Sequence, residues 1–253
     1  MNKDTNIITM VDRAMNILDY IYNSTNAIGV SKTSKDLDLP KATVFRILNT
    51  LEKWDLVKKL NGDNKYILGA SNIKYGEKAK NEFDIVTIAT PYMEKLSEKI
   101  GETINLGIKY EDDALILKSI EGESSILVSK LIPITPLHCS SIGKLFLAEF
   151  NEKELKEYFN STLSKRTINT IITLKEFDNE KENIINNSIA HDNEEYEYGL
   201  TCIASPIKDK NDKTIAGISI SGPTTRLQYK NLDTLEKELK TTTKAISSEL
   251  KSI

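Results

Sequence analysis

The feature that most constrains this chain is a change of apolar period near residue 101. Before it, apolar residues recur every three or four positions, as helices require. After it, Thr103, Asn105, Gly107 and Lys109 alternate with Ile104, Leu106, Ile108 and Tyr110, the two-residue period of a strand. One segment cannot serve both periods, so a helix-rich N-terminal part is expected to precede a part containing a sheet.

The N-terminal part reads in detail. Val11, Ala14, Met15, Leu18, Ile21 and Tyr22 form an inward-packing stripe on a first helix. A polar break, Asn23 to Gly29, leads to a short helix over 31–37 with Ser31 as its N-cap. Pro40 disfavours helical geometry at Leu39 yet suits the first turn of a third helix, 40–53. Two strands, 56–60 and 65–68, flank the hairpin turn Asn61-Gly62-Asp63-Asn64. This order, helix, helix, turn, helix and hairpin, is expected to be a winged helix-turn-helix over 1–70. A polar linker helix over 71–82 should follow.

From 83 onwards the expectation is a helix to 100, which could restart at Pro91, and then strands over 103–110, 114–120 and 125–131. Helices are expected near 142–150, 152–159 and 174–190, the last with a capping box from Thr173 and Glu176. Strands over 201–207 and 214–221 and a closing helix over 231–251 complete a mixed sheet with helices. The fold class is therefore α+β, with a second domain over 83–253.

Composition narrows the function classes. The chain has 253 residues and a net charge of −3, too acidic to coat nucleic acid indiscriminately. The basic residues are unevenly placed, however, with six Lys/Arg against three Asp/Glu in 41–65. No apolar run approaches the ~20 residues of a membrane span, and the first ten residues lack the apolar core of an export signal. Two cysteines are too few for a disulfide framework. A cytoplasmic, membrane-independent protein is expected.

On the third helix, the face opposite Val44, Ile47, Leu48 and Leu51 carries Ala42, Phe45, Arg46, Asn49 and Lys53. Arg pairs with guanine and Asn with adenine through two hydrogen bonds, and an aromatic ring or methyl group meets the thymine methyl. Lys41 and Thr43 suit phosphates at the helix start, and Lys58, Lys59 and Lys65 suit backbone phosphates from the wing. The bland alternative is a three-helix unit with an ordinary polar surface, against which an exposed Phe45 would weigh.

Several spaced motifs resemble the isocitrate-lyase-regulator (IclR) family of bacterial transcription factors. They are Val11-Asp12-Arg13-Ala14, the stretch from Leu39 to Leu51, Lys65-Tyr66-Ile67-Leu68-Gly69, and the stretch from Pro136 to Lys144. Two more are Asp192 through Pro206, and Ile218 to Pro223. The resemblance implies a GAF-like mixed α/β effector domain, dimers or dimers of dimers, and double-stranded, pseudo-palindromic operator DNA. It also implies a small organic-acid or sugar-acid effector, no cofactor, and control of a catabolic operon by repression. Carried over by motif position, the effector site would hold Ser141, Ile142, Asp192, Leu200, Cys202, Ser219 and Ser221, with Leu127 and Thr135 on its wall. Departures from the family pattern include Asp38 where Gly is usual, Thr33 and Ser34 at apolar positions, and Phe45 for a frequent His. Thr135 replaces an apolar wall residue, which points to a more polar ligand.

Two rival classes remain. An enzyme acting on a small carboxylate would draw on His138, Cys139, His191 and Cys202, yet their spacing fits no zinc pattern. Gly143-Lys144 is no phosphate loop, because His138 and Leu145 occupy its first Gly and its Ser/Thr positions. The cluster Asp192, Glu194, Glu195 and Glu197 could hold a cation or be a polar loop before a strand. A sensor or adaptor that does not bind DNA would not need the polar face of the third helix.

Overall fold

The computed structural model describes residues 7–60, 62–122 and 133–252, which fall into two compact units, Met1–Glu82 and Phe83–Ile253. The strand expected over 125–131 lies outside the described residues.

In the first unit, α1 (Thr9–Tyr22), α2 (Val30–Asp36) and α3 (Lys41–Lys53) enclose a core of Ile17, Ile21, Val44, Ile47, Leu48, Leu51, Val57 and Tyr66. The wing strands β2 (Val57–Lys59) and β3 (Lys65–Leu68) pair antiparallel, and β1 (Ile28–Gly29) adds to the other edge of β3. Residues 28–29 therefore leave the expected polar break to become a strand. Gly29, not Ser31, stands at the N-cap of α2. The turn before α3 holds Asp38 at φ 50°, a left-handed conformation that Asp tolerates better than most residues. Buried Thr33 donates its hydroxyl to the Gly29 carbonyl at 3.1 Å, so the polar substitution in α2 is satisfied within its own helix.

The stripe assigned to α1 needs correction. Ile17 and Ile21 carry the packing, while Val11, Met15 and Tyr22 are exposed. The helix is apolar on more than one side, and this unit covers only one of them. Polar α4 (Ser71–Asn81) closes the unit without burying any residue.

The second unit is built on a six-stranded sheet of order β6-β5-β4-β9-β8-β7. Its strands are β4 (Thr103–Tyr110), β5 (Asp113–Ile120), β6 (Ile134–Pro136), β7 (Ala190–Asn193), β8 (Leu200–Lys208) and β9 (Thr214–Pro223). All described pairs are antiparallel, which narrows the mixed sheet read from sequence. One face packs through Ile104, Leu106, Ile203, Ile218 and Ile220 against α5 (Asp84–Ile100) and α10 (Leu232–Leu250). Pro91 lies inside α5 without interrupting it. On the other face lie α6 (Ser141–Glu149), α7 (Glu152–Asn160) and α8 (Leu174–Asn187). β4 is thus covered on both sides, and the expected half-buried strand also buries Thr103 and Asn105.

Two boundaries differ from expectation in consequential ways. The helix expected to reach 190 stops at Ser188, which takes a left-handed φ of 53°. The next residues form edge strand β7, so Asp192 sits on a strand and not in a loop. The capping box of Thr173 and Glu176 is present. After β9, α9 (Thr224–Tyr229) intervenes before α10. Beneath it, buried Glu102 accepts two 2.6 Å bonds from Arg226 and lies 2.7 Å from Lys230.

Candidate functional site

Two surfaces concern function, one in each unit. On α3 the buried residues Val44, Ile47, Leu48 and Leu51 face the core. Lys41, Ala42, Phe45, Arg46, Asn49 and Lys53 are exposed and Thr43 is half-buried. Phe45 is 47% exposed, although burying such a ring in the core would have been favourable. Lys65, on the wing, pairs with Asp63 at 3.0 Å, and among the described residues this is the only ion pair made by a residue expected to contact DNA; both partners are exposed and the pair is of little energetic worth. Trp54, at the C-cap of α3, is 63% exposed and was not anticipated as part of this surface. Its sequence signal was weak, because it falls just past the periodic stripe.

In the second unit, a small cavity of about 30 Å³ lies between the sheet and the start of α6. Every strand of the sheet contributes to it: Thr135 from β6, Ile116 from β5, Asn105 from β4, Ser219 from β9, Cys202, with Leu200 at its start, from β8, and Asp192 from β7. Ser140, Ser141 and Ile142 at the start of α6, with Tyr196, complete the wall. Of the residues expected there, seven line the cavity together: Thr135, Ser141, Ile142, Asp192, Leu200, Cys202 and Ser219. Ser221 lies behind them, accepting from the Asn105 amide at 3.1 Å. Leu127 is outside the described residues.

Asn105 was missed, though its signal was available as a polar residue on the alternating side of β4. The register sets it opposite Ser219. Its amide donates to the hydroxyls of Ser219 and Ser221, and its carbonyl accepts from Ser119 at 2.7 Å.

The start of α6 is built by a tight approach. Ser140 caps it, accepting from the Gly143 N–H at 3.2 Å. A Cβ at Gly143 would fall 2.4 Å from the Leu137 Cα, so only glycine fits there. The Ser141 and Ile142 N–H groups belong to the first turn, which the helix itself leaves without acceptors, and they point an anion-favouring end at the cavity.

Asp192 provides the opposite character. It is 1% exposed, and its Oδ1 accepts the N–H groups of Glu195 and Tyr196 at 2.8 and 3.2 Å. Burial, and then the charge of Glu195, push its carboxyl up to about 7 against those two hydrogen bonds. Among the described residues no Lys or Arg lines the cavity. Lys144, fully buried on α6, reaches Glu195 at 2.6 Å and Glu180 at 2.7 Å. Burial alone would lower its pKa, but these carboxylates outweigh it and hold the ammonium charged.

The rival assignments fit less well. Cys139 and Cys202 are buried, and burial pushes the Cys139 thiol up to about 12, away from the nucleophilic thiolate. His138 is also buried. Its ring nitrogens meet the Tyr158 hydroxyl and the Ser164 carbonyl, each at 3.1 Å. His191 pairs with Glu236 on the far side of the sheet. Among the described residues no group of His, Cys, Asp and Glu is placed to hold a metal, and no helix is long and apolar enough to cross a membrane. An open cleft of about 750 Å³, lined by Phe83, Lys109, Phe150 and Lys213 among others, contains none of the expected site residues.

A helix with an unoccupied polar face beside a wing, followed by a unit with a polar internal cavity, defines a DNA-binding transcriptional regulator. Comparison with known proteins identifies its kind. Residues 77–248 match the model of the bacterial transcriptional regulator IclR C-terminal domain, and residues 10–60 match the IclR helix-turn-helix domain. The chain belongs to the IclR family of transcriptional regulators, which are not enzymes. It is 33% identical over 244 residues to an uncharacterised HTH-type transcriptional regulator of Haemophilus influenzae, covering 94% of this chain and 91% of that one. It is 31% identical over 243 residues to the DNA-binding transcriptional repressor YiaJ of Escherichia coli, covering 94% and 86%. The crystal structure of the Thermotoga maritima IclR superposes with a TM-score of 0.68 at 30% identity, over 96% of this chain and 99% of that one.

Proposed function

We propose that this protein is a repressor whose hold on pseudo-palindromic operator DNA is controlled by a small organic acid or sugar acid in the second unit. In this reading Arg46 and Asn49 contact base edges, Phe45 and Ala42 meet thymine methyls, and Lys41, Thr43, Lys53 and Lys65 contact phosphates. The observation that carries the effector assignment is the two-ended cavity. First-turn N–H groups of α6 suit a carboxylate, and Ser219, Thr135 and Asp192 at the other end suit hydroxyl or carbonyl groups.

The cavity's size supplies the control. About 30 Å³ holds one water and no organic acid. A ligand therefore binds only a state in which α6 and the strands part slightly, and that differential affinity is what allosteric control requires. The change reaches the DNA-binding unit through α4. Exposed apolar residues on α1 (Met10, Val11 and Met15) and on α4 (Ile73 and Tyr75) offer a second chain surface to pack against, which suits pairing on a two-fold operator.

A thermal-shift screen of 2-oxo acids, sugar acids and aromatic acids tests the effector reading. One class should raise the melting temperature in a concentration-dependent way. Asn105→Leu, which removes the amide anchoring Ser219, should abolish that shift. A shift that survives in this variant would place the ligand elsewhere.

A further inference from the structure

The charges around the cavity do not balance, and this inference rests on the organic-acid reading of the same cavity. Around Asp192 stand Lys144 from α6, Glu195 and Tyr196 from the loop after β7, Cys139 from the turn before α6, and Cys202 from β8. Behind them, Glu180 from α8 meets Lys144, and Arg166, in the chain between α7 and α8, meets Tyr196. Both cations are committed. Lys144 is held by Glu195 and Glu180. Arg166 lies 3.9 Å over the Tyr196 ring and donates Nε–H to the Tyr196 carbonyl. Burial keeps Tyr196 and both thiols protonated and neutral.

One buried ammonium thus answers three carboxyl groups, two of them almost wholly buried. The Oε2 atom of Glu195 has no hydrogen-bond partner, so Glu195 cannot take a further negative neighbour cheaply. A ligand carboxylate at the start of α6 would bring a fourth negative group into this space.

We propose that Asp192 takes up a proton from solvent when an organic acid binds, so that the cavity recognises the acid together with a proton. No bond other than the carboxyl O–H forms. The new O–H then donates to the ligand's hydroxyl or carbonyl oxygen, where the carboxylate could only accept. The regulator consequently reads acidity along with ligand, responding at lower ligand concentration as pH falls. Burial has already pushed the free carboxyl up to about 7, and a second anion beside it moves it higher, so the complex keeps the proton at pH values where the free protein has lost it.

The test uses the full chain with glycerate, pyruvate and 4-hydroxybenzoate as probes, by titration calorimetry in buffers of different ionisation heat. The wild type should take up close to one proton per bound acid at pH 8, and its Kd should rise about tenfold from pH 8 to 9. Asp192→Asn should show no uptake and a flat Kd. No uptake by the wild type, or equal uptake by the variant, overturns the proposal.

If none of the acids binds, the organic-acid reading fails, and the proton is decided on ligand-free protein. The melting temperature of the wild type relative to Asp192→Asn should fall by several degrees between pH 5 and 8.5. The sign follows because a raised carboxyl favours the folded state while protonated and loses that advantage as pH rises through about 7. A constant difference overturns the proposal in that arm.

Discussion

At the scale of single residues, Arg46 and Lys65 separate two kinds of DNA contact. Arg46 stands on the exposed face of α3 and Lys65 at the start of the wing strand β3. In the proposed complex, Arg46→Ala costs about 1–3 kcal/mol of discrimination between the preferred site and its point variants. Lys65→Ala weakens all duplexes alike and lowers the slope of log K against log salt by about 0.9. Anisotropy titrations on a site selected from random duplexes, at several salt concentrations, distinguish these outcomes. Identical effects of both variants would contradict the division of labour.

Residues were legible from sequence where a period or a motif marked them. The core stripe of α3 and seven cavity residues were found that way. Asn105 was not, because the alternation of β4 marks it only as polar, and its importance comes from the long-range register that sets β4 against β9. The burial of His138 has no local signal either, because its enclosure comes from the Tyr158 hydroxyl and the Ser164 carbonyl, both distant in sequence.

At the scale of elements, α6 is the piece that must be held in place, since its first turn forms one end of the cavity. Two features fix it. Gly143 lets the turn at Leu137 come close, and Lys144 ties the helix to α8 and to the loop after β7. Removing one partner of a buried ion pair leaves an uncompensated charge, so Lys144→Met should cost about 3–5 kcal/mol by urea unfolding. Lys144→Met with Glu195→Met should recover part of that loss, because the almost wholly buried Glu195 carboxylate is then no longer stranded. A single variant as stable as the wild type would show that the ion pair does not hold the helix.

Element boundaries were read less well than element types, and the end of α8 shows why. Ala190 continues an apolar pattern that suits either helix or strand. The decision is made by Ser188, which takes a left-handed turn despite not being glycine, and by the open edge of β8, which recruits β7. Similarly, β1 exists only because β3 offers it an edge. The polar side of β4 looked like a solvent face because a cavity lining and a wet surface use the same residue types.

At the scale of the whole molecule, the two units divide the work expected of a regulator. The N-terminal unit presents a basic, polar helix face, and the second unit closes a polar cavity under α6. The division was legible from the polar linker expected over 71–82, which ends where the second unit begins. Which partner each surface takes came from the exposed face of α3, the buried polarity beneath α6 and membership of the IclR family.

The most direct test of the account is sequence-specific DNA binding by the full chain, measured with and without the acid that gives the largest thermal shift. The account predicts binding at about 10⁻⁸ M or tighter to a two-fold symmetric site at physiological salt. The acid should change that affinity several-fold, and Arg46→Ala should lose the sequence preference while its circular dichroism stays that of the wild type. Binding that ignores sequence, or a symmetric-site affinity untouched by both the acid and Arg46→Ala, would contradict it.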